Sequence, residues 1–254
     1  MSMTDERIRA VLITYQKDTV WYRRDIKGER AVAEGIVFPK FANNNEPYLY
    51  DEEKDPLVAR DAYGKLIHKP FKVTMGIDFG GNGSMTTFTL KLYFNRYHDL
   101  RTAEEDFLPL SDDIDADMIC KKYVEFYNRC RDKYERIDWV FPDSASTTMI
   151  NSLRSAAKNA GLPYQNIKGC RKNEISERPR TMDRLLNTGR IKINRKCEHL
   201  RKAIGILKWD EDHPNQPEDK NIGNCNDWWD AECYTWLDFC LLYTSPSPRD
   251  AHES

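Results

Sequence analysis

No stretch of the 254 residues approaches the roughly 20 consecutive apolar positions that a membrane-spanning helix needs. The opening MSMTDERIRAVL has neither the basic n-region nor the apolar h-region of a secretory signal, which predicts a chain that is not secreted. No two of the seven cysteines (120, 130, 170, 197, 225, 233 and 240) form a C-x-x-C pair, which argues against zinc and for reduced thiols. The five histidines are dispersed, with no i, i+4 pair, and no Ser or Cys stands in a G-x-S-x-G setting, so nucleophilic acyl chemistry is unsupported. A phosphate-cradling G-x-x-x-x-G-K-[ST] loop is also missing. Neither charge is in excess overall, with 39 Lys+Arg against 41 Asp+Glu and a net charge of −2. What remains is 40% hydrophobic and 31% charged, the composition of a water-soluble globular chain long enough for one large domain.

The charge is unevenly spread. Between 165 and 208 stand 13 Lys/Arg against 4 Asp/Glu, a net of +9, whereas 101–119 carries 1 base against 7 acids, a net of −6. A basic block in a nearly neutral chain is the footprint of a polyanion contact, with a solvated face as the plain alternative. Residues 1–70 read as a mixed, polar arm, with a helix predicted from Asp5 to about Tyr15 and a loop-like FANNNEPYLYDEEKDP, and without a core of their own.

The compact part is predicted from Phe71. Val73, Met75, Ile77 and Phe79 share one face of a strand, while Thr74, Gly76 and Asp78 share the other. Asn82-Gly83 signals a hairpin into a second alternating strand through Phe88, Leu90, Leu92 and Phe94, and a weaker third falls within 97–108. A helix through Ile119, Tyr123, Phe126 and Cys130 follows, then a buried strand at 137–141 ended by Pro142-Asp143. Ser144 or Ser146 caps the next helix, which stops at Gly161, and another strand is expected at 164–167. A helix near 176–188, a strand near 190–193 and a helix near 195–206 fill the basic block. A last helix, 226–242, carries the stripe Trp229, Cys233, Trp236 and Cys240. The order implies an α/β fold: a three-strand antiparallel meander joined to parallel strands in a mixed sheet with helices on its faces.

Three carboxylates occupy marked positions. Asp78 lies in the middle or at the end of the first strand on its non-apolar face, Asp143 just past the fourth strand, and Asp230 early in the last helix with Asp227 three residues before it on the same side. Each alone reads as a cap or a surface acid. Jointly, if the two strands are neighbours, they converge on one spot, where such carboxylates repel unless divalent cations are bound. Mg²⁺ and Mn²⁺ suit oxygen ligands, and two ions about 4 Å apart activate water and stabilise the leaving oxygen in phosphodiester hydrolysis.

GIDFGGNGS (76–84), VFPDSAS (140–146), KGCRKNEISERPRTMDRLLNTGRIKI (168–193) and NDWWDAECYTW (226–236) resemble, in that order, the C-terminal nuclease domain of the large terminase subunit of tailed bacteriophages. WYRRDIKGERAVAEGIVFP (21–39) resembles that family's junction between ATPase and nuclease domains. The resemblance implies a ribonuclease H-like fold at 71–240, preceded by a linker or ATPase-junction remnant at 1–70. It also implies a DNA endonuclease that cuts concatemeric viral DNA during packaging. Carried over, the metal-binding acids are Asp78, Asp143 and Asp230, holding two Mg²⁺ or Mn²⁺, with Asp227 as an auxiliary acid. Lys168 stands where the family often has a lysine near the site, and Arg171, Lys172, Arg178, Arg180 and Arg184 are expected to grip the DNA backbone. Implied partners are double-stranded DNA, the terminase ATPase domain, the small terminase subunit and the portal, in the cytoplasm of an infected bacterium.

Two features depart from the family. Without the G-x-x-x-x-G-K-[ST] loop, the expectation is cutting without ATP-driven translocation, in a fragment or split gene product. The end LLYTSPSPRDAHES (241–254) resembles sequencing-adapter read-through and is expected to be artefactual or an unstructured tail. Two other readings stand beside the nuclease. Gly80, Gly81 and Gly83 resemble the first phosphate motif of actin and sugar-kinase ATPases, although the later glycines are isolated. A packaging module whose acids no longer bind metal is the other. The six tryptophans are expected in the core, with an exposed Trp228 that stacks or packs on a partner as the alternative.

Overall fold

The computed structural model describes residues 9, 12–15, 17, 19, 21–29, 35–80, 84–111, 114–171, 176–213, 215–218 and 225–240. In chain order the elements are α1 (Pro39–Asn43), β1 (Leu49–Tyr50), β2 (Ala59–Arg60), β3 (Leu66–His68), β4 (Lys72–Asp78), β5 (Thr86–Phe94), β6 (Asp99–Leu108), α2 (Ala116–Tyr134), β7 (Trp139–Pro142), α3 (Thr147–Asn159), α4 (Glu177–Asn187), β8 (Ile191–Asn194), α5 (Glu198–Ile206) and α6 (Cys225–Cys240). Most of the helix predicted at 5–15, the tip of the hairpin at 81–83, Lys172 and the tail at 241–254 fall outside the described residues.

Six strands form one mixed sheet in the order β1-β8-β6-β5-β4-β7. β4, β5 and β6 make the antiparallel meander, β7 runs parallel to β4, and β8 runs parallel to β6. The third strand, faint in sequence, is ten residues long. Its acids mask it, and each has a role: Glu104 meets Lys133 at 2.6 Å, Asp106 meets Lys122 at 2.6 Å, and Glu105 accepts the Leu200 amide at 3.0 Å to cap α5. The strand expected at 164–167 shrinks to one parallel bridge between Ile167 and Val140, because a turn closes from the Tyr164 carbonyl to the Ile167 amide at 3.3 Å.

The alternation of β4 and β5 sorts the two faces of the sheet. Val73, Met75, Ile77, Phe88, Leu90 and Leu92 bury against Tyr123, Phe126 and Cys130 of α2 and Ile150, Leu153 and Ala157 of α3. Asp115 and Ser146 cap these helices through the Met118 and Met149 amides, at 2.8 and 3.4 Å. The opposite face is made of Thr74, Gly76, Thr87, Thr89, Lys91 and Tyr93, and it carries α6. Trp229, Cys233 and Trp236 of the predicted stripe are buried, but so are Trp228, Ala231, Glu232, Tyr234 and Thr235: α6 is enclosed on every side rather than amphipathic.

Residues 35–50, within the segment expected as a linker, complete this second layer, while Leu57 and Val58 pack on the α2 and α3 side. Val37, Phe38 and Phe41 are buried beside Trp229, the Phe38 and Trp229 rings 5.4 Å apart, and β1 adds a parallel strand to β8. Much of the basic block is occupied here. Arg195 pairs with Glu46, Lys196 with Glu53 at 2.9 Å, and Arg190 donates to the Tyr97 carbonyl at 2.8 Å. Arg195 and Lys196 tether the N-terminal segment to the sheet, and Arg190 ties β8 to the turn between β5 and β6.

Gly76 is where α6 touches β4. A Cβ there would stand 2.0 Å from the Ala231 carbonyl oxygen, a backbone atom that cannot move without lifting the helix. Gly76→Ala is therefore expected to cost about 3 kcal/mol or more, read as a lowered denaturation midpoint. A variant as stable as the parent would show that α6 does not sit this close.

Candidate acidic site

β4 and β7 end side by side, and the amide of Asp143 donates to the Ile77 carbonyl at 2.9 Å, which sets Asp143 next to Asp78 at the C-terminal edge of the sheet. Asp78 points to the face that carries α6, as its place in the alternation predicted. Asp227 and Asp230 descend on it from the first turns of α6. Thr87 Oγ1 donates to the Asp227 carbonyl at 2.8 Å, Thr89 Oγ1 to the Ala231 carbonyl at 3.0 Å, and Thr74 Oγ1 to the Thr235 carbonyl at 2.8 Å, so successive turns of the helix are pinned to the sheet.

The other three acids act on Asp78. Burial pushes the Asp78 carboxyl well above the usual carboxylate range, and the charges of Asp230, Asp227 and Asp143 push it further; only the Tyr234 hydroxyl, donating to Oδ1 at 3.3 Å, works the other way. The Tyr234 phenol is itself raised by burial and then by Asp230, Asp78 and Asp143. Asp227 is buried, and its Oδ2 accepts the Met85 amide at 2.8 Å, tying α6 to the β4–β5 hairpin. Asp143 Oδ1 accepts the Ala145 amide at 3.0 Å. Asp230 meets Arg178 Nη1 at 2.8 Å.

The donors are carboxylate oxygens crowded to like charge, which fits Mg²⁺ or Mn²⁺ far better than zinc. Among the described residues no three Asp, Glu, His or Cys side chains already stand as a ligand set. Each of the four acids is held meanwhile by a protein donor: Asp78 by Tyr234, Asp143 by the Ala145 amide, Asp227 by the Met85 amide and Asp230 by Arg178.

The expected DNA contacts diverge. Lys168 is exposed, but its ammonium rests 3.8 Å from the centre of the Trp139 ring, at the far end of β7 from Asp143. Arg171 is exposed, with Nε 3.8 Å from Asp238, and Lys172 is outside the described residues. Arg180 donates to Tyr15 Oη at 3.1 Å, and Arg184 donates to the same hydroxyl and covers its ring. Arg178, expected on the surface, is 4% exposed and belongs to the acidic site instead. Gly80 packs beneath the hairpin, where a Cβ would lie 2.6 Å from the Ser84 carbonyl oxygen, and its amide donates to Thr86 Oγ1 at 2.9 Å. These contacts account for Gly80 as a hairpin residue without a ligand.

Sequence reasoning missed Tyr234, and it named Arg178 for the DNA backbone rather than for a place beside Asp230. The signal for Tyr234 was present, since i+4 from Asp230 on a helix shares its face. Arg178 arrives from a separate helix, α4, and nothing in its local pattern marks it.

The mixed sheet, with its meander, its parallel flank and helices on both faces, is of the ribonuclease H-like class. Among solved structures, the chain resembles the large terminase of the thermophilic bacteriophage D6E at TM-score 0.65 and 18% identity, over 92% of this chain and 51% of that one. It resembles the large terminase nuclease of thermophilic phage G20c at TM-score 0.51 and 13% identity, over 80% of this chain and 98% of that one. The G20c nuclease with bound magnesium gives TM-score 0.50 and 12% identity, over 80% and 97%. The likeness is one of fold, the fold of these terminases, and the chain spans about half the length of the D6E protein. No protein-family profile and no curated protein matches the sequence.

The raised Asp78 carboxyl gives a pH dependence. Folded and cation-free, Asp78 keeps its proton above the unfolded value of about 3.9, so the native state binds more protons and stability falls as pH rises above that value. In EDTA, Asp78→Asn is expected to melt higher than the parent at pH 7–8, with the gap closing towards pH 4. A gap independent of pH would contradict the crowding of the four acids.

Proposed function

We propose that this chain is a metal-dependent DNA endonuclease that cuts concatemeric viral DNA during genome packaging. One observation carries the reading: Asp78, Asp143 and Asp230, far apart in sequence, stand at the ends of two adjacent strands and one helix, close enough that the charges of Asp230 and Asp143 add to burial in pushing the Asp78 carboxyl up. The fold shared with phage terminases, and with a nuclease solved with bound magnesium, supports it.

In this reading Asp78, Asp143 and Asp230 hold the divalent cations, and Asp227 fixes α6 to the hairpin and adds negative charge. Two such ions, when bound, supply activation of a water and stabilisation of the leaving oxygen. Tyr234 orients the Asp78 carboxylate by its hydrogen bond. Arg171 and Lys172 hold backbone phosphates, Arg180 and Arg184 extend that contact from α4, and Lys168 lies further out on Trp139. Phosphate contacts carry no base information, so cutting is expected to show little sequence preference. The wider assembly, comprising ATPase domain, small terminase subunit and portal in an infected bacterial cytoplasm, rests on the motif resemblance.

The test is cleavage of supercoiled plasmid with Mn²⁺ by Asp78→Ala, Asp143→Ala and Asp230→Ala, each shown to be folded by circular dichroism. Each is expected to lose at least about 100-fold in rate. Unchanged cleavage in all three would reject these acids as the catalytic set, and no cleavage by the parent would leave a packaging module without nuclease activity.

A further inference from the structure

Arg178, expected from the sequence on the DNA backbone, is the residue in the acidic site that the proposed hydrolysis does not use. It enters from α4, at the second residue of that helix, and its side chain is 4% exposed. Nη1 donates to Asp230 Oδ1 at 2.8 Å, and the guanidinium carbon lies 5.7 Å from the centre of the Tyr234 ring, whose hydroxyl reaches Asp78. Its Nε is buried with no acceptor. Arg184 and Arg201 leave the same donor unmet, so what sets Arg178 apart is its place: a side chain only 4% exposed puts its positive charge where four carboxylates converge.

We infer that Arg178 is a resident counter-cation: it neutralises Asp230 while the site is empty of metal, competes with a divalent cation for that carboxylate, and so sets the site's cation affinity. The inference rests on the reading of the acids as cation ligands. A monovalent guanidinium relieves part of the repulsion at Asp78, Asp143 and Asp230 and lets the cation-free protein fold. A divalent cation that takes Asp230 displaces the Arg178 contact. The device is reversible because Arg178 is tethered at the start of α4 and its charge stays beside Asp230.

The test is Mn²⁺ binding to the full chain by calorimetry, comparing the parent with Arg178→Met, which keeps the volume and removes the charge. Arg178→Met is expected to bind Mn²⁺ about tenfold more tightly and to melt lower than the parent in EDTA, with a larger rise in melting temperature on adding Mn²⁺. If Arg178→Met does not fold, nitrogen-15 spectra of the parent's arginine side chains read the same point. Adding Mg²⁺ is expected to speed rotation of the Arg178 guanidinium, and a signal unmoved at saturating Mg²⁺ overturns the inference. Equal or weaker Mn²⁺ binding by Arg178→Met also overturns it, since an arginine that merely positions Asp230 would give that result, and the nuclease reading survives. A parent that binds no Mn²⁺ removes both.

Discussion

Threonine hydroxyls on one face of β4 and β5 donate to main-chain carbonyls of α6, and the rest of the molecule follows from that contact. Thr87, Thr89 and Thr74 reach the carbonyls of Asp227, Ala231 and Thr235, and Tyr93 adds a second donor to Thr235 at 2.6 Å. Gly76, lacking a side chain, lets the helix backbone close onto the strand. Lys91 and Glu232, both wholly buried, pair across the same interface with Thr102 bridging them. A buried ion pair gives little net stability but is costly to break from one side, which favours one register of the helix over its neighbours. Sliding α6 by a residue would orphan Lys91 and every one of these hydroxyls.

That register has an electrostatic consequence. Fixing the first turns of α6 over the C-terminal edge of β4 and β7 forces Asp227 and Asp230 towards Asp78 and Asp143, at the expense of their mutual repulsion. The molecule offsets part of it with the Met85 amide, the Tyr234 hydroxyl and the Arg178 guanidinium. What is left uncompensated is the raised proton affinity of Asp78, a site better suited to a doubly charged ion than to its present partners.

Much of this was legible in the sequence. The two-residue alternation of 73–79 and 86–94 fixed which face Asp78 takes, and Pro142-Asp143 marked the end of the neighbouring strand. Other parts were hidden for physical reasons. β6 is written in acids that pair with α2 and cap α5, so its period is masked by charge. The segment 35–68 looked too polar for a core because its few apolar residues, Val37, Phe38, Phe41 and Leu49, are buried against partners distant in sequence. The basic block read as one surface, yet Arg190, Arg195 and Lys196 close intramolecular contacts and Arg178 turns inward. Charge composition cannot tell a cation facing solvent from one facing its own chain.

The central claim is that the acids gathered by α6 trap divalent ions. Crystals of the protein soaked in Mn²⁺ and measured at the manganese absorption edge test it most directly. The account expects anomalous peaks bounded by the carboxylates of Asp78, Asp143 and Asp230. Featureless density there, with the same side chains ordered and turned apart, would contradict it.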